Sequence, residues 1–290
     1  MTEPGATNTR RLAADDWAGD AGARWLSQLD RFESMIVPVG DALLAQAAFA
    51  PGERVVDVGC GGGWTTRRIA KAVGPGGLAL GVDISRDLVS EATARAAAEG
   101  LENIRFLARD AATTMPSEAP FDHLFSRFGC MFFPEPYAAF ANLRRMLRDG
   151  ARLDIAVWAP AFENDWTRRI MAVVGEHFDL SAPTPRAPGP FALGEIDYLN
   201  DLLERAGFEG MTVEAWEGDQ AIGGVGADPE GAAHFVLGAM HIGDLVRDRS
   251  PEVRAAVEAG LVHLFEQHRG PDGVRMGAKA WLMTAAAGQV

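Results

Sequence analysis

An apolar run that breaks into four glycines within five positions and then turns helical, RVVDVGCGGGWTTRRIA at residues 54–70, constrains this chain more than any other feature. The glycines let the backbone turn sharply and approach a ligand with no Cβ in the way. Such a loop can cradle a dinucleotide, a nucleotide phosphate, or a ligand with no phosphate. The dinucleotide fingerprint G-x-G-x-x-G fails in both registers: counted from Gly59 its third glycine falls on Trp64, and counted from Gly61 on Thr66. A P-loop needs Gly-Lys followed by Ser or Thr, and no lysine stands in or beside this loop. The pattern that fits is D-x-G-x-G-x-G, carried by Asp57, Gly59, Gly61 and Gly63. A carboxylate at its head suits a cationic ligand, and the loop reads as holding no phosphate.

The sequence around the loop alternates strands with helices. Strands are expected at 54–59, 78–85, 104–111, 121–129 and 151–160, and helices at 63–73, 86–100 and 136–147. That alternation predicts an α/β fold, a parallel sheet with helices on both faces. Ligands of such sheets sit at the carboxyl ends of the strands, where the strand order reverses. Upstream, apolar residues at helical spacing between Trp17 and Phe49 read as two helices broken near Pro38.

Two more acidic residues end the next two strands. Asp83, in GVDIS, is placed to accept both hydroxyls of a ribose, while Ile84 covers a purine face. Asp110, in RDAA, is placed to accept an exocyclic adenine amine. Either aspartate alone reads equally well as a helix cap or turn residue. Three carboxylates ending three successive strands, behind a glycine loop, describe a nucleoside bearing a positive charge. S-adenosylmethionine is that molecule.

The chain resembles the class I S-adenosylmethionine-dependent methyltransferases, and within them the group similar to ubiquinone and menaquinone biosynthesis methyltransferases. The resemblance runs from about Trp17 to Trp281, on VVDVGCGGGWTT, GVDIS, FDHLFSRFGCMFFPEPYAAFANLRRMLRDGARL, GPFALGEIDYLNDLLERAGF and GPDGVRMGAKAWLMTA. It implies a Rossmann-like, seven-stranded, mostly parallel sheet whose last strand is antiparallel, with strand six within 211–222 and strand seven within 274–286. It also implies cofactor contacts at Asp57, Gly59, Gly61, Asp83, Ile84, Asp110, Ala111 and the backbone around Ser126. Trp64 departs from the small residue usual after the last glycine, and is expected to pack under the loop.

One domain is expected over 1–290, with a sheet core at about 51–160, 194–222 and 273–287. A helical cap from 13–50, 160–193 and 228–269 then makes the acceptor pocket. Residues 1–12 read as a frayed tail, and Pro183, Pro185, Pro188 and Pro190 as a fixed, extended lid loop. Apolar cap walls with a few polar groups suit a small organic acceptor. The formal charge of −13 disfavours nucleic acid and anionic membrane surfaces. No apolar run is long enough to span a membrane, and the N-terminus lacks a signal-peptide core, so a cytoplasmic protein is expected. Two cysteines, Cys60 and Cys130, make neither a disulfide framework nor a cysteine zinc site, and no metal is expected. A homodimer is compatible with the sequence.

Methyl transfer is an in-line displacement in which positioning supplies most of the acceleration, and a general base is needed only for a protonated acceptor. His241 is the candidate base, with His234 seven residues earlier on what reads as one helix face, and Arg127 is the candidate anion-orienting group. Trp25, Asn164 and Trp166 are candidates for the acceptor pocket, with Trp17 a further lid aromatic, whereas His123 inside its strand reads as structural. Two other readings stand beside the enzyme. One is a non-catalytic module that keeps the nucleoside site. The other is a dinucleotide oxidoreductase, disfavoured by the failed glycine register and the lack of a Tyr-x-x-x-Lys pair.

Overall fold

The computed structural model describes residues 14–289 except Ser181 and Pro183, so the tail expected at 1–12 and one proline of the lid loop lie outside the described residues. The chain enters through helices α1 (Ala14–Trp17), α2 (Asp20–Ser27) and α3 (Leu29–Ala47). It then alternates β1 (Arg54–Val58), α4 (Trp64–Val73), β2 (Leu78–Asp83), α5 (Arg86–Ala98), β3 (Ile104–Ala108), β4 (Phe121–Arg127), α6 (Pro136–Arg145) and β5 (Leu147–Trp158). Beyond them follow α7 (Asp165–Gly175), α8 (Ile196–Arg205) and β6 (Phe208–Ala221). Helices α9 (Pro229–Ala239), α10 (Ile242–Arg247) and α11 (Pro251–Gln267) lead to β7 (Arg269–Gly270) and β8 (Gly273–Ala287).

The strands form one sheet in the order β3-β2-β1-β4-β5-β8-β6. Strands β1 to β5 run parallel, and β8 inserts antiparallel between β5 and β6. This is the Rossmann-like arrangement expected, with one addition: the two-residue β7 folds back on the start of β8, bringing the strands to eight among the described residues. The order reverses between β1 and β4, so the crevice at their carboxyl ends is where a ligand belongs. Val55, Val56, Leu124 and Phe125, on the two strands flanking that point, are wholly buried.

The helix break expected near Pro38 falls instead at Gln28, and Pro38 lies inside the continuous α3. Phe32, Ile36, Val39 and Leu43 keep a buried stripe on both sides of the proline. Burying that stripe outweighs the roughly 3 kcal/mol that an interior proline costs a helix.

Under the sheet, at the end away from the crevice, one carboxylate gathers a polar network. Asp154 on β5 is wholly buried and accepts from His123 Nε2 at 2.7 Å, Arg152 Nε at 2.6 Å and Thr284 Oγ1 at 2.6 Å. Burial alone would raise this carboxyl, but the bonds from His123, Arg152 and Thr284 hold it below the usual range. His123 is thus structural, as its place inside the strand suggested. Asp154→Ala leaves the buried His123 Nε2, Thr284 Oγ1 and Arg152 without their acceptor. We expect a loss of about 3–5 kcal/mol of unfolding free energy in urea titrations, and a loss below about 1 kcal/mol would contradict the network's role.

Candidate active site

The crevice opens into an apolar cavity of about 230 Å³. Its floor is the ends of β1, β2 and β4, and its roof comes from α2, α3, the loop before α8 and the junction of α9 with α10. Eleven of the residues expected at the site line it: Gly59, Gly61, Asp83, Ile84, Asp110, Ala111, Arg127, Trp17, Trp25, Trp166 and His241.

The glycine loop is built as its spacing demands. Gly59, Gly61 and Gly63 all take positive φ, at 70°, 52° and 74°. A Cβ on Gly59 would lie 2.5 Å from the Cα of Gly129, so β1 and β4 approach too closely there for any side chain. A Cβ on Gly61 would meet nothing closer than Trp25 Nε1 at 4.0 Å, because the backbone there faces the cavity. Gly63 instead packs on Ala92 and Phe106, away from the cavity, so its glycine serves helix packing.

Two carboxylates brace this loop. Asp83 Oδ2 accepts from the Gly61 amide at 2.8 Å, and its Oδ1 from the Ser85 amide at 2.9 Å. Burial pushes this carboxyl above its ordinary value against the opposing pull of those amides and that of Ile84. Asp57 does not line the cavity. It is buried below the loop, with Oδ2 accepting from Thr65 Oγ1 at 2.7 Å and Thr66 Oγ1 at 2.6 Å, while its Oδ1 is buried without a partner. Its expected contact with a cationic ligand is therefore at most through space. Asp110 closes a turn by accepting from the Ala112 amide at 2.8 Å.

The candidates from other segments separate into three that do not face the cavity and several that do. Ser126 is wholly buried and donates its hydroxyl to the Val58 carbonyl at 2.7 Å, joining β4 to β1. Asn164 is a clamp rather than a pocket wall: it donates to the Ala159 carbonyl at 3.0 Å and accepts from Trp166 Nε1 and the Lys279 amide. His234 is 70% exposed and pairs with Glu258 at 2.8 Å. The helix presumed to carry both histidines ends at Ala239, and Met240 is extended, so His234 and His241 share no face. Trp25 stacks on Phe32 at 3.9 Å, and Trp166 lies beside Trp158, both on the cavity wall. Phe128 takes a strained φ of 64° directly after β4 and stacks on Trp158 at 4.2 Å, so strain accumulates at the crevice. Of the lid-loop prolines, Pro190 reaches the cavity.

Arg127 is buried and donates to Glu33 Oε2 at 2.7 Å, an ion pair that spans from β4 to α3. Its guanidinium lies over the Trp64 ring at 4.9 Å, in a slot that exists because residue 40 is glycine. Its Nε and Nη1 are buried without partners. Glu33 was not foreseen. The signal for it was a carboxylate within the apolar stripe of α3, on the same face as Gly40 seven residues on. Burial raises both thiols, that of Cys130 to about 12, so neither cysteine is a nucleophile at neutral pH.

The residues present fit an adenosyl ligand: an open backbone at Gly61, a half-buried carboxylate at Asp83 and apolar cover from Ile84. No group of three or more His, Cys, Asp or Glu able to hold a metal occurs among the described residues. A sheet of this order, with a bare glycine loop and a strand-end aspartate, fits a nucleoside-binding enzyme better than a dinucleotide enzyme.

Known proteins narrow that class. The methyltransferase-domain family profile matches residues 55–150. The chain is 34% identical over 177 residues to aklanonic acid methyltransferase DauC of Streptomyces sp. (strain C5), covering 58% of this chain and 76% of that protein. It is 29% identical over 241 residues to nocamycin O-methyltransferase of Saccharothrix syringae, covering 80% and 84%. A solved Haemonchus contortus phosphoethanolamine N-methyltransferase 2, in complex with S-adenosylhomocysteine, shares the fold at a TM-score of 0.56 and 15% identity, over 99% of this chain and 61% of that one. The chain belongs to the class I S-adenosylmethionine-dependent methyltransferases, and it is an enzyme with S-adenosylmethionine as its cofactor. The oxidoreductase and non-catalytic readings fall with that result.

The buried Asp57 generates a pH prediction. Burial lifts its carboxyl from 3.8 to about 6, against the two threonine bonds. The folded state thus favours the proton, and the stability this gives is complete below about pH 4 and lost as pH rises through about 6. The loss amounts to roughly 3 kcal/mol. Asp57→Asn removes the ionisation, so its melting temperature relative to the wild type should improve between pH 5 and pH 8 in ligand-free protein. An unchanged difference across that range would refute the assignment.

Proposed function

We propose that this enzyme methylates an oxygen or carbon of a small, largely apolar metabolite, with the cofactor held by the sheet and the acceptor held by the cap. One observation carries the reading: a single aromatic-walled cavity joins the Asp83 end of the sheet to the cap residues Trp25, Trp166 and His241. Asp83 is proposed to take the ribose hydroxyls, Ile84 and Ala111 to cover the adenine, and Asp110 to accept its amine. Gly59 and Gly61 let the backbone approach the methionyl part, and Asp57, Gly63 and Ser126 act beneath, by shaping the loop. The cofactor supplies an electrophilic methyl group on a sulfonium. The chain's own task is to desolvate the site, align the acceptor and hold its proton. Alignment alone is worth up to roughly 7–11 kcal/mol of barrier.

His241 is proposed as the acceptor's base. Arg127, neutralised by Glu33, is proposed to orient the acceptor with its spare N–H groups. Relatives named for an acid and for O-methylation favour oxygen over carbon as the acceptor atom. Kinship to the ubiquinone and menaquinone group remains part of this proposal, resting on the motifs between Trp17 and Trp281. The formal charge of −13 supports an acceptor other than nucleic acid. Among the described residues no helix is long and apolar enough to cross a membrane. We further propose one domain over 1–290, a cytoplasmic location and, where it assembles, a homodimer.

Asp83→Asn removes the charge and keeps one oxygen able to brace Gly61, at the cost of the Ser85 bond. S-adenosylhomocysteine affinity should fall at least about tenfold, near 1.4 kcal/mol, in calorimetry. An unchanged dissociation constant would remove Asp83 from the ribose. The reacting site must also be closed to water. Hydrogen exchange should therefore slow on S-adenosylhomocysteine binding in α2, in residues 184–190 and around His241, besides the loops at 57–64, 83–86 and 110–113. Protection confined to those loops would mean that the cap does not close.

A further inference from the structure

The roof of the cavity contains a polar station that neither the sequence motifs nor the relatives point to. Arg24 on α2 and His241 before α10 come from segments more than two hundred residues apart, and both line the cavity. One carboxylate joins them. Asp244 accepts from Arg24 Nη1 at 2.8 Å and Nη2 at 3.3 Å, and its Oδ2 lies 3.2 Å from His241 Nδ1. Arg247 also pairs with it from the solvent side.

Each partner then has one nitrogen left over. Arg24 Nε is buried without a hydrogen-bond partner, although both its terminal nitrogens are engaged. His241 makes its contact through Nδ1, and Nε2 has no partner among the described residues. A carboxylate facing Nδ1 favours the tautomer protonated there, which leaves Nε2 with a bare lone pair. A buried N–H without a partner costs about 1–3 kcal/mol, so the Arg24 donor is left for something that enters the cavity. Trp17 Nε1, also on the cavity wall, is a second buried donor without a partner. The station thus offers one proton acceptor beside donors, inside otherwise apolar walls.

We propose that this station recognises and deprotonates an acidic hydroxyl, a phenol or enol, on an apolar acceptor, with Asp244 as the positioning residue for His241 and Arg24 as the donor to the acceptor oxygen. The inference rests on the methyl-transfer reading above and names its substrate class. The hydroxyl proton passes to His241 Nε2, and Arg24 Nε–H steadies the oxygen as its charge develops. The oxygen lone pair forms the new bond to the methyl carbon. The electrons of the carbon–sulfur bond stay on sulfur, giving S-adenosylhomocysteine, and His241 then releases its proton to solvent. Charge therefore balances without another reactant.

The test uses the full chain saturated with S-adenosylhomocysteine and reads the ring nitrogens of His241 by ¹⁵N NMR at pH 8. The wild type should show the Nδ1–H tautomer. Asp244→Asn should raise the Nε2–H population severalfold while the S-adenosylhomocysteine dissociation constant changes less than threefold. A merely structural ion pair would give the same tautomer shift, so the response to an acceptor hydroxyl is the reading that separates the two roles. Titration with 2-naphthol should shift the Nε2 resonance, and its methyl ether should not. Arg24→Met should weaken the naphthol response without changing the tautomer. An Nε2–H tautomer in the wild type, or equal responses (or none) to naphthol and its ether, overturns the proposal. Failure of S-adenosylhomocysteine to bind would instead overturn the cofactor assignment beneath it.

Discussion

The bond from the Gly61 amide to the Asp83 carboxylate, 2.8 Å long, fixes the geometry on which everything else here depends. It ties the loop after β1 to the end of the neighbouring β2, beside the crevice at which the strand order reverses. From below, Asp57 holds the first turn of α4 through two threonine hydroxyls. A loop of positive-φ glycines has little conformational preference of its own. Two carboxylates from adjacent strands supply it. The consequence is a backbone that faces the cavity bare at Gly61, where any side chain would intrude on a ligand.

A second set of charged contacts fastens the cap. Arg127 reaches from β4 to Glu33 on α3, and Arg24 on α2 reaches to Asp244 on α10. Buried ion pairs add little net stability, because desolvation offsets their attraction. Their value here is positional. Each pair places a charged side chain on the wall of an apolar cavity, at a fixed distance from the sheet. The first pair stands beside the sheet end of the cavity and the second at its roof. Stability comes instead from the apolar stripe of α3 and the strands beneath it.

The sheet was legible because its signals are local. The apolar run before Gly59, the D-x-G-x-G-x-G spacing and an acidic residue at three successive strand ends all lie within a few residues of the structure they specify. Boundaries moved by a few positions, and β7 escaped notice because two residues carry no periodicity. Sequence places Asp57 beside the loop but does not distinguish the ligand face from the face beneath, where its carboxylate holds Thr65 and Thr66. The cap was less legible for a different reason. Arg127 and Glu33 are 94 positions apart, and Arg24 and Asp244 are 220 apart, so nothing in the chain announces either pair. His234 was grouped with His241 by a helical spacing that the extended Met240 interrupts. Pro38 misled because tertiary burial of α3 overrode a local penalty.

By the proposed function, one cavity holds the cofactor on the sheet side and the acceptor on the cap side. A crystal structure with S-adenosylhomocysteine bound tests it most directly. Both ribose hydroxyls should lie within hydrogen-bond distance of Asp83, with the sulfur turned toward the space between Arg127 and His241. A ribose held elsewhere, or a sulfur turned away from the cap, would contradict it.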